Sequence, residues 1–419
     1  MFGFHPRRKD FTMKASESIR EKTKDFLMEL VAIPSTRGNE GDASRFTYQK
    51  FRGIVDECEL VEIDDSIMDD PEYNFPLEGF SYKNTPNVEC IIKGDPGGKK
   101  VVFNAHLDVV PPSEGQVDAF NPKFEDGFIW GRGSQDDKSG IAIGYALALL
   151  LKERGIKPKG DLIFHWVIEE ENGGNGTLAM IRRGVEADAA ISLEPSGLDI
   201  RAAARGAVWF ELKVFGKAAH SGKAEGRVSA LDKAIEAMQI LKGYHDRLLA
   251  DSRGLEYFDE FPDPMPLTFG ECHCGVWPAQ VPAEATLRGL IGFLPNRTYK
   301  EVQEELINVL FEEGDEWLKK NFEFKFNMLN NDGYSIPRDH PLIMTLLSSM
   351  KKHDVKEKVV AQTAASDAYM YNNMAGIPIV TFGAAPNDVA HQKDERVELD
   401  SIIKVAEVLV DFVDEFCES

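Results

Sequence analysis

The chain has 419 residues, 43% hydrophobic and 28% charged, a balance that fits a globular protein and excludes disordered and fibrous classes. At about 150 residues per domain, the length predicts two or three domains. Lysine plus arginine number 48 and aspartate plus glutamate 70, and the formal net charge of −22 repels phosphate backbones and anionic lipid, so nucleic-acid and membrane partners are not expected.

In chain order, residues 1–14 carry Arg7, Arg8 and Lys9 with no apolar run behind them, so they do not read as a secretion signal. Helical patterns follow at 16–31, with Ile19, Phe26, Leu27 and Leu30 on one face, and at 43–55. An acidic loop bearing proline and aromatic residues spans 64–87. Strand patterns at 88–93 and 100–110 flank Gly94-Asp95-Pro96-Gly97-Gly98, whose composition predicts a hairpin. A smaller hairpin is predicted over 124–130 about Asp126-Gly127. Residues 139–154 make a strongly apolar helix ended by Gly155. Strands follow at 161–168 and 189–193, with a helix between them near 177–183. Strands alternating with helices predict an α/β domain with a mostly parallel central sheet.

The pattern changes at Arg205. Strand 207–215, helix 229–241, strands 266–271 and 284–294, helix 299–321 and strand 322–329 form the split βαβ order. Helix 341–351, strand 377–382 and helix 401–416 then return to the first pattern. The expected organisation is a catalytic α/β domain, 1–204 and 330–419, interrupted by an inserted ferredoxin-like α+β domain, 205–329. No stretch is apolar enough to span a bilayer. The five cysteines (Cys58, Cys90, Cys272, Cys274, Cys417) are scattered and odd in number, which argues against a disulfide framework and for a reducing cytoplasm.

The chemically informative residues fall where predicted strands end. One strand runs into His106-Leu107-Asp108, whose first and third residues share a face. Another ends in Glu169-Glu170-Glu171-Asn172-Gly173-Gly174, and a third in Glu194-Pro195. Between them lies Gly131-Arg132-Gly133-Ser134-Gln135-Asp136-Asp137-Lys138, opening directly onto a helix. Sites in open α/β sheets form outside the carboxyl ends of the strands. Taken singly, each motif has an ordinary reading: a hydrogen-bonded histidine, a solvated acidic run, a glycine loop. Carboxylates crowded at one sheet edge repel one another unless a cation neutralises them. Histidine plus several carboxylates suits zinc and tolerates cobalt or manganese. Cys272-His273-Cys274 is not expected to bind metal, since alternating strand residues cannot all face one ion. His5, His165, His245, His340 and His353 read as structural or surface residues.

In this order, and joined by a late His391, the motifs resemble the dinuclear metallopeptidase and deacylase family of acetylornithine deacetylase, succinyl-diaminopimelate desuccinylase, aminoacylase and glutamate carboxypeptidase. The resemblance runs from Leu30-Val31-Ala32-Ile33-Pro34-Ser35 to residues 390–397, nearly the whole chain. It implies two divalent metal ions per subunit, most simply zinc, and hydrolysis of the amide of a small N-acyl amino acid, or of a dipeptide. His106 would bind one ion and His391 the other, Asp136 would bridge them, and Glu171 and Glu194 would each complete one site. Asp108 would orient His106, and Glu170 would be general base and acid. The peptide between Asp136 and Asp137 would be cis. Arg205 would hold a substrate carboxylate, and His220 would assist the oxyanion from the neighbouring subunit of a homodimer built through the inserted domain.

The sequence departs from the resembled pattern at one place. The positions of an Asn-x-Val-Pro motif and an Asp-x-Arg strand read Ala279-Gln280-Val281-Pro282 and Leu290-Ile291-Gly292, so the usual carboxylate clamp is missing there. Readings from other classes fare worse. A dinuclear phosphoesterase would need Asp-x-His, Gly-Asn-His and Gly-His-x-His, and none occurs. There is no Gly-x-Ser-x-Gly elbow, and a non-catalytic scaffold would not keep every ligand and the base.

Overall fold

The computed structural model describes residues 15–222, 225–386 and 388–418; Arg7, Arg8, Lys9 and His5 lie outside them. Helix α1 (Glu17–Val31) starts where Ser16 Oγ accepts the Ile19 N–H at 3.3 Å, and it buries Ile19, Phe26, Leu27 and Leu30. Helix α2 (Gly41–Phe51) follows, then β1 (Glu57–Val61), β2 (Asn87–Ile92) and β3 (Val101–His106). β4 (Lys123–Glu125) and β5 (Phe128–Trp130) make the predicted small hairpin, with Asp126 and Gly127 at φ 53° and 85°, the left-handed pair that a tight turn requires. α3 (Lys138–Arg154), β6 (Leu162–Val167), α4 (Asn175–Arg183), β7 (Ala189–Ser192) and β8 (Ile200–Ala204) complete the first stretch.

The next residues build a separate sheet: β9 (Gly206–Phe215), β10 (Ala219–His220), α5 (Ala230–Asp251), β11 (Leu267–Cys274), β12 (Gln280–Val281), β13 (Glu284–Phe293), α6 (Tyr299–Glu313), β14 (Phe322–Lys325) and β15 (Asn330–Asn331). The chain then returns through β16 (Tyr334–Ser335), α7 (Pro341–Lys352), β17 (Val359–Gln362), β18 (Ile379–Thr381), β19 (Arg396–Glu398) and α8 (Leu399–Phe416).

Among the described residues, the main sheet has nine strands in the order β1-β2-β6-β3-β7-β18-β8-β16, with β17 also on β8. β6, β3, β7 and β18 are mutually parallel at its centre, and the pairs β1/β2, β2/β6, β18/β8 and β8/β16 are antiparallel. The sheet is therefore mixed, with the parallel middle that the sequence pattern implies. β3 and β7 are buried at every residue, as strands covered on both faces must be. The second sheet is antiparallel, ordered β11-β13-β9-β14 with β15 on β9, and α5 and α6 pack on it.

The hairpin expected across 94–98 does not form. β6 lies between β2 and β3, so those strands never touch. Gly94 and Gly98 serve a crossing of two loops instead: a Cβ on either would come within 2.3 Å of the Gly160 or Lys159 backbone, and Asp95 N–H donates to Pro158 O at 3.0 Å. β1, β8 and β17 have no counterpart in the sequence reading. β8 is Ile-Arg-Ala-Ala-Ala, with little intrinsic strand preference, and tertiary pairing on both sides decides its state.

Register places side chains in rows across the parallel centre. Asn104, Ser192, Thr381 and Arg201 are direct neighbours across β3, β7, β18 and β8. Two residues further on the same face come His106, the last residue of β3, and Glu194, just past β7.

α3 sits over this edge because it packs closely on β3 and β6. Gly144 makes that possible: a Cβ there would lie 2.3 Å from Trp166, whose ring is already held between Phe51 and Phe164. Alanine normally favours a helix interior over glycine by about 1 kcal/mol, whereas overpacking a filled core costs about 1–3 kcal/mol. Gly144→Ala should therefore lower the urea midpoint at unchanged slope. A raised midpoint would show the contact to be looser than described.

Candidate metal centre

The parallel centre delivers the acidic and imidazole side chains to one edge. His106 ends β3 directly opposite Val167 of β6, so residues 169–171 emerge beside it. Glu194 follows β7, and the 131–137 loop enters α3, where Asp137 is the N-cap and accepts the Gly140 N–H at 3.2 Å. The peptide between Asp136 and Asp137 is cis.

Asp136 stands between the two histidines. Its Oδ1 is 2.9 Å from His106 Nε2 and its Oδ2 3.3 Å from His391 Nε2. His106 Nε2 also lies 3.4 Å from Glu194 Oε1 and 4.0 Å from Glu170 Oε2, and His391 Nε2 lies 2.9 Å from Glu171 Oε1. Two half-sites result, one with His106 and Glu194 and one with His391 and Glu171, sharing Asp136. The donor atoms of His106, Asp136 and Glu171, and those of His106, Asp137 and Glu194, each fall within 4.8 Å of one another, so each trio could hold a metal ion.

Asp108 holds this arrangement from behind. Its two carboxylate oxygens accept the N–H groups of Glu170 and Glu171, each at 3.1 Å, and its backbone carbonyl is 2.9 Å from His106 Nδ1. The carboxylate itself is 3.5 Å from that nitrogen. The imidazole is thus oriented chiefly by the carbonyl, while the carboxylate fixes the backbone that presents Glu170 and Glu171. Glu169, fully buried at φ 58°, anchors the same turn: it accepts from Arg37 Nε and Tyr82 Oη, and from Asn175 Nδ2 at 3.1 Å.

The electrostatics of the cluster follow from its burial. Burial, then Glu194, pushes the Glu170 and Asp137 carboxyls well above the carboxylate range. Burial, then Asp136, takes Glu171 up to about 7 and also raises Glu194. Burial opposes protonation of His106, yet Asp108 and Glu194 hold it well above its ordinary value. Hydrogen bonds to Asp136 and Glu171 take His391 to about 10. The carboxylates outnumber the two imidazoles, and Asp137 Oδ2 and Asp367 Oδ1 are buried with no hydrogen-bond partner. This nitrogen-and-oxygen donor set fits divalent cations.

Several contributors were not legible in sequence. Asp137 joins the His106–Glu194 cluster. Asp367, from the segment after β17, donates its N–H to Glu170 Oε1 at 3.3 Å. Arg132 and Glu395 form a fully buried ion pair, and Glu395 Oε1 accepts the N–H groups of Gln135 and Asp136 at 3.1 and 3.2 Å. The glycine loop around Arg132 was visible, but its partner lies 263 residues away.

Two expected substrate residues stand apart from the cluster. Arg205 donates from Nε to Thr363 O at 2.6 Å and from Nη1 to Gly206 O at 3.1 Å. His220 is exposed on β10, its Nδ1 accepting the Gly222 N–H at 3.1 Å. Cys272, His273 and Cys274 lie along β11, and His273 faces Glu271.

The family model for peptidase family M20/M25/M40 matches residues 102–415. The chain belongs to this family. It is accordingly a metal-dependent hydrolase of amide bonds. Among curated relatives it is 28% identical to the N-formyl-4-amino-5-aminomethyl-2-methylpyrimidine deformylase of Bacillus subtilis, over 83% of this chain and 87% of that one. Among solved structures, a tripeptidase from Staphylococcus aureus superposes with TM-score 0.75 at 20% identity, over 96% and 99% of the two chains. A dinuclear metal-binding peptidase of the M20 family from Bacillus subtilis does so with TM-score 0.68 at 14% identity, over 96% and 99%.

Glu40, at the start of α2, lies behind Asp108 and is wholly buried, with no hydrogen-bond partner for either carboxylate oxygen. Burial, then the Asp108 charge, raises it to about 8. A carboxyl raised on folding contributes stability below its unfolded pKa of about 4.3, and that stability is lost as pH rises through the folded value. Glu40→Gln should therefore become progressively more stable than the parent between pH 5 and about 8, the gap levelling above that. A gap independent of pH in thermal melts would contradict the burial of this carboxyl.

Proposed function

We propose that this enzyme removes a small acyl group from an amine or amino acid by direct attack of water. His106, Asp136 and Glu194 would hold one divalent ion, and His391, Asp136 and Glu171 the other. The observation that carries the reading is the Asp136 carboxylate, with one oxygen turned to each histidine. Zinc suits these ligands best, with cobalt or manganese acceptable. When bound, the ions would supply Lewis acidity, lowering the pKa of the attacking water and polarising the scissile carbonyl.

The protein's own part is proton transfer and positioning. Glu170 has one oxygen anchored on the Asp367 N–H and the other turned toward His106. It takes the proton of the attacking water at its carboxylate and returns it to the departing amine nitrogen. Desolvation beside Glu194 raises this carboxyl, the direction an acid–base group needs for work near neutrality. Asp108 keeps Glu170 and Glu171 in their separate roles by holding both backbone amides.

The similarity to a deformylase supports a small acyl group, and the fold shared with a tripeptidase keeps a dipeptidase or carboxypeptidase as the second reading. We place the protein in the cytoplasm as a homodimer joined through the domain at 205–329, with His220 reaching the partner's site. Two features support the dimer: His220 makes no contact with its own chain's cluster among the described residues, and Trp277, which lines the same surface cavity as His220, is 68% exposed. Among the described residues no helix is long and apolar enough to cross a membrane.

Amine release from N-formyl, N-acetyl and N-succinyl amines, amino acids and dipeptides tests the reading directly. Activity on none of them, with metal bound, would reject it. Glu170→Gln should retain metal content and lose about 10²–10⁴ in turnover; a loss below tenfold would remove Glu170 from the proton-transfer role. Mixing inactive His220→Ala and Glu170→Gln proteins should restore roughly a quarter of wild-type activity if His220 acts across a two-fold dimer. No recovery despite subunit exchange would place His220 in its own site.

A further inference from the structure

Residues 290–292 of β13 are Leu290, Ile291 and Gly292, which offer no charged side chain. The cations near the metal centre are mostly committed. Arg37 is held by Glu169, Arg132 by Glu395, and Lys138 Nζ by the carbonyls of Leu30 and Ile33 at 3.0 and 2.8 Å. Arg205 spends two of its donor nitrogens on the carbonyls of Thr363 and Gly206.

Arg201 differs from all of these. Among the described residues its guanidinium has no hydrogen bond and no carboxylate within ion-pair distance, and its nearest acidic influences are Glu194 and Asp199. The residue is largely enclosed by the sheet, yet none of its nitrogens is sealed from solvent. A guanidinium carries five donors and stays charged, so enclosing one without a partner is unfavourable unless something completes it.

The register shows where it points. Arg201 pairs with Thr381, Thr381 with Ser192, and Ser192 with Asn104, a polar row across four strands. Directly opposed residues share a sheet face. The next row on that face holds His106 and Glu194, so Arg201 stands one row from the metal centre, on its side of the sheet. Ser192 Oγ, in the same row, is buried and has no hydrogen-bond partner.

We propose that Arg201 is a specificity-determining residue that binds a carboxylate of the substrate, in a subsite beside the Glu194 half of the centre. This inference rests on the amide-hydrolase reading and narrows it: the preferred substrates are amides bearing a carboxylate one short chain away from the scissile carbonyl. A planar guanidinium matches a carboxylate in two parallel hydrogen bonds. The register puts this anchor on the rigid central sheet of the first unit, not on β13 of the second.

The test compares three amides on the metal-loaded full chain: N-acetylethylamine without a carboxylate, N-acetylglycine with one on the amine side, and N-succinylethylamine with one on the acyl side. In the parent, one carboxylate-bearing amide should have the higher kcat/KM, and which one identifies the side that Arg201 serves. Arg201→Gln should cut its advantage over N-acetylethylamine by about tenfold or more, and Arg201→Lys by less, since the charge remains without the fork. Equal losses on all three amides would show a structural role, and an unchanged ratio would show no contact; either overturns the proposal. Calorimetric binding of succinate to the metal-loaded protein separates this from failure of the hydrolase reading. If no amide is cleaved but succinate binds at least tenfold more weakly to Arg201→Gln, the anion site stands and the reaction assignment falls. Equal succinate affinity in parent and variant overturns the site itself.

Discussion

The crowding of carboxylates in a desolvated pocket governs this structure. Asp136, Asp137, Glu170, Glu171, Glu194 and Asp367 converge on two imidazoles; burial pushes all six toward protonation, and all but Asp136 end above the ordinary carboxylate range. Asp136 stays ionised against burial because both histidines donate to it. Like charges at this spacing persist only when a cation offsets them or when the fold leaves them no alternative.

The fold enforces the crowding with groups packed behind the centre. The buried Arg132–Glu395 pair pins the loop before α3 through the amides of Gln135 and Asp136. Asp108 and Glu169 fix the turn carrying Glu170 and Glu171, one through the backbone and the other through Arg37, Tyr82 and Asn175. Losing one member of such a buried pair strands its partner's charge, which typically costs about 3–5 kcal/mol. The 64–87 loop supplies Tyr82, and through Asn74 it ties Gly173 to Asn330, at the return from the second sheet. The support of the acidic turn and the junction of the two sheets therefore share residues.

Much of this could be read from the sequence, because the informative residues lie where a local pattern ends. His106, Glu170, Glu171 and Glu194 each terminate an apolar strand, and the Asp136 loop opens an unmistakable helix, so their meeting at one edge follows from parallel strands alone. What escaped depends on contacts distant in sequence. Glu395 and Asp367 have no local signature, and β8 is mostly alanine with its state decided by β18 and β17. The supposed hairpin at 94–98 failed for a related reason: glycines needed for two loops to cross have the same composition as a turn, and only the insertion of β6 distinguishes them.

We propose that the carboxylate cluster holds two cations through Asp136. Metal analysis of protein purified without chelator, alongside Asp136→Ala, tests it most directly. Two divalent ions per chain in the parent, falling to one or none in the variant while the fold is retained, is the predicted result. A parent that binds no divalent ion, or a variant that keeps both, would contradict this role for Asp136.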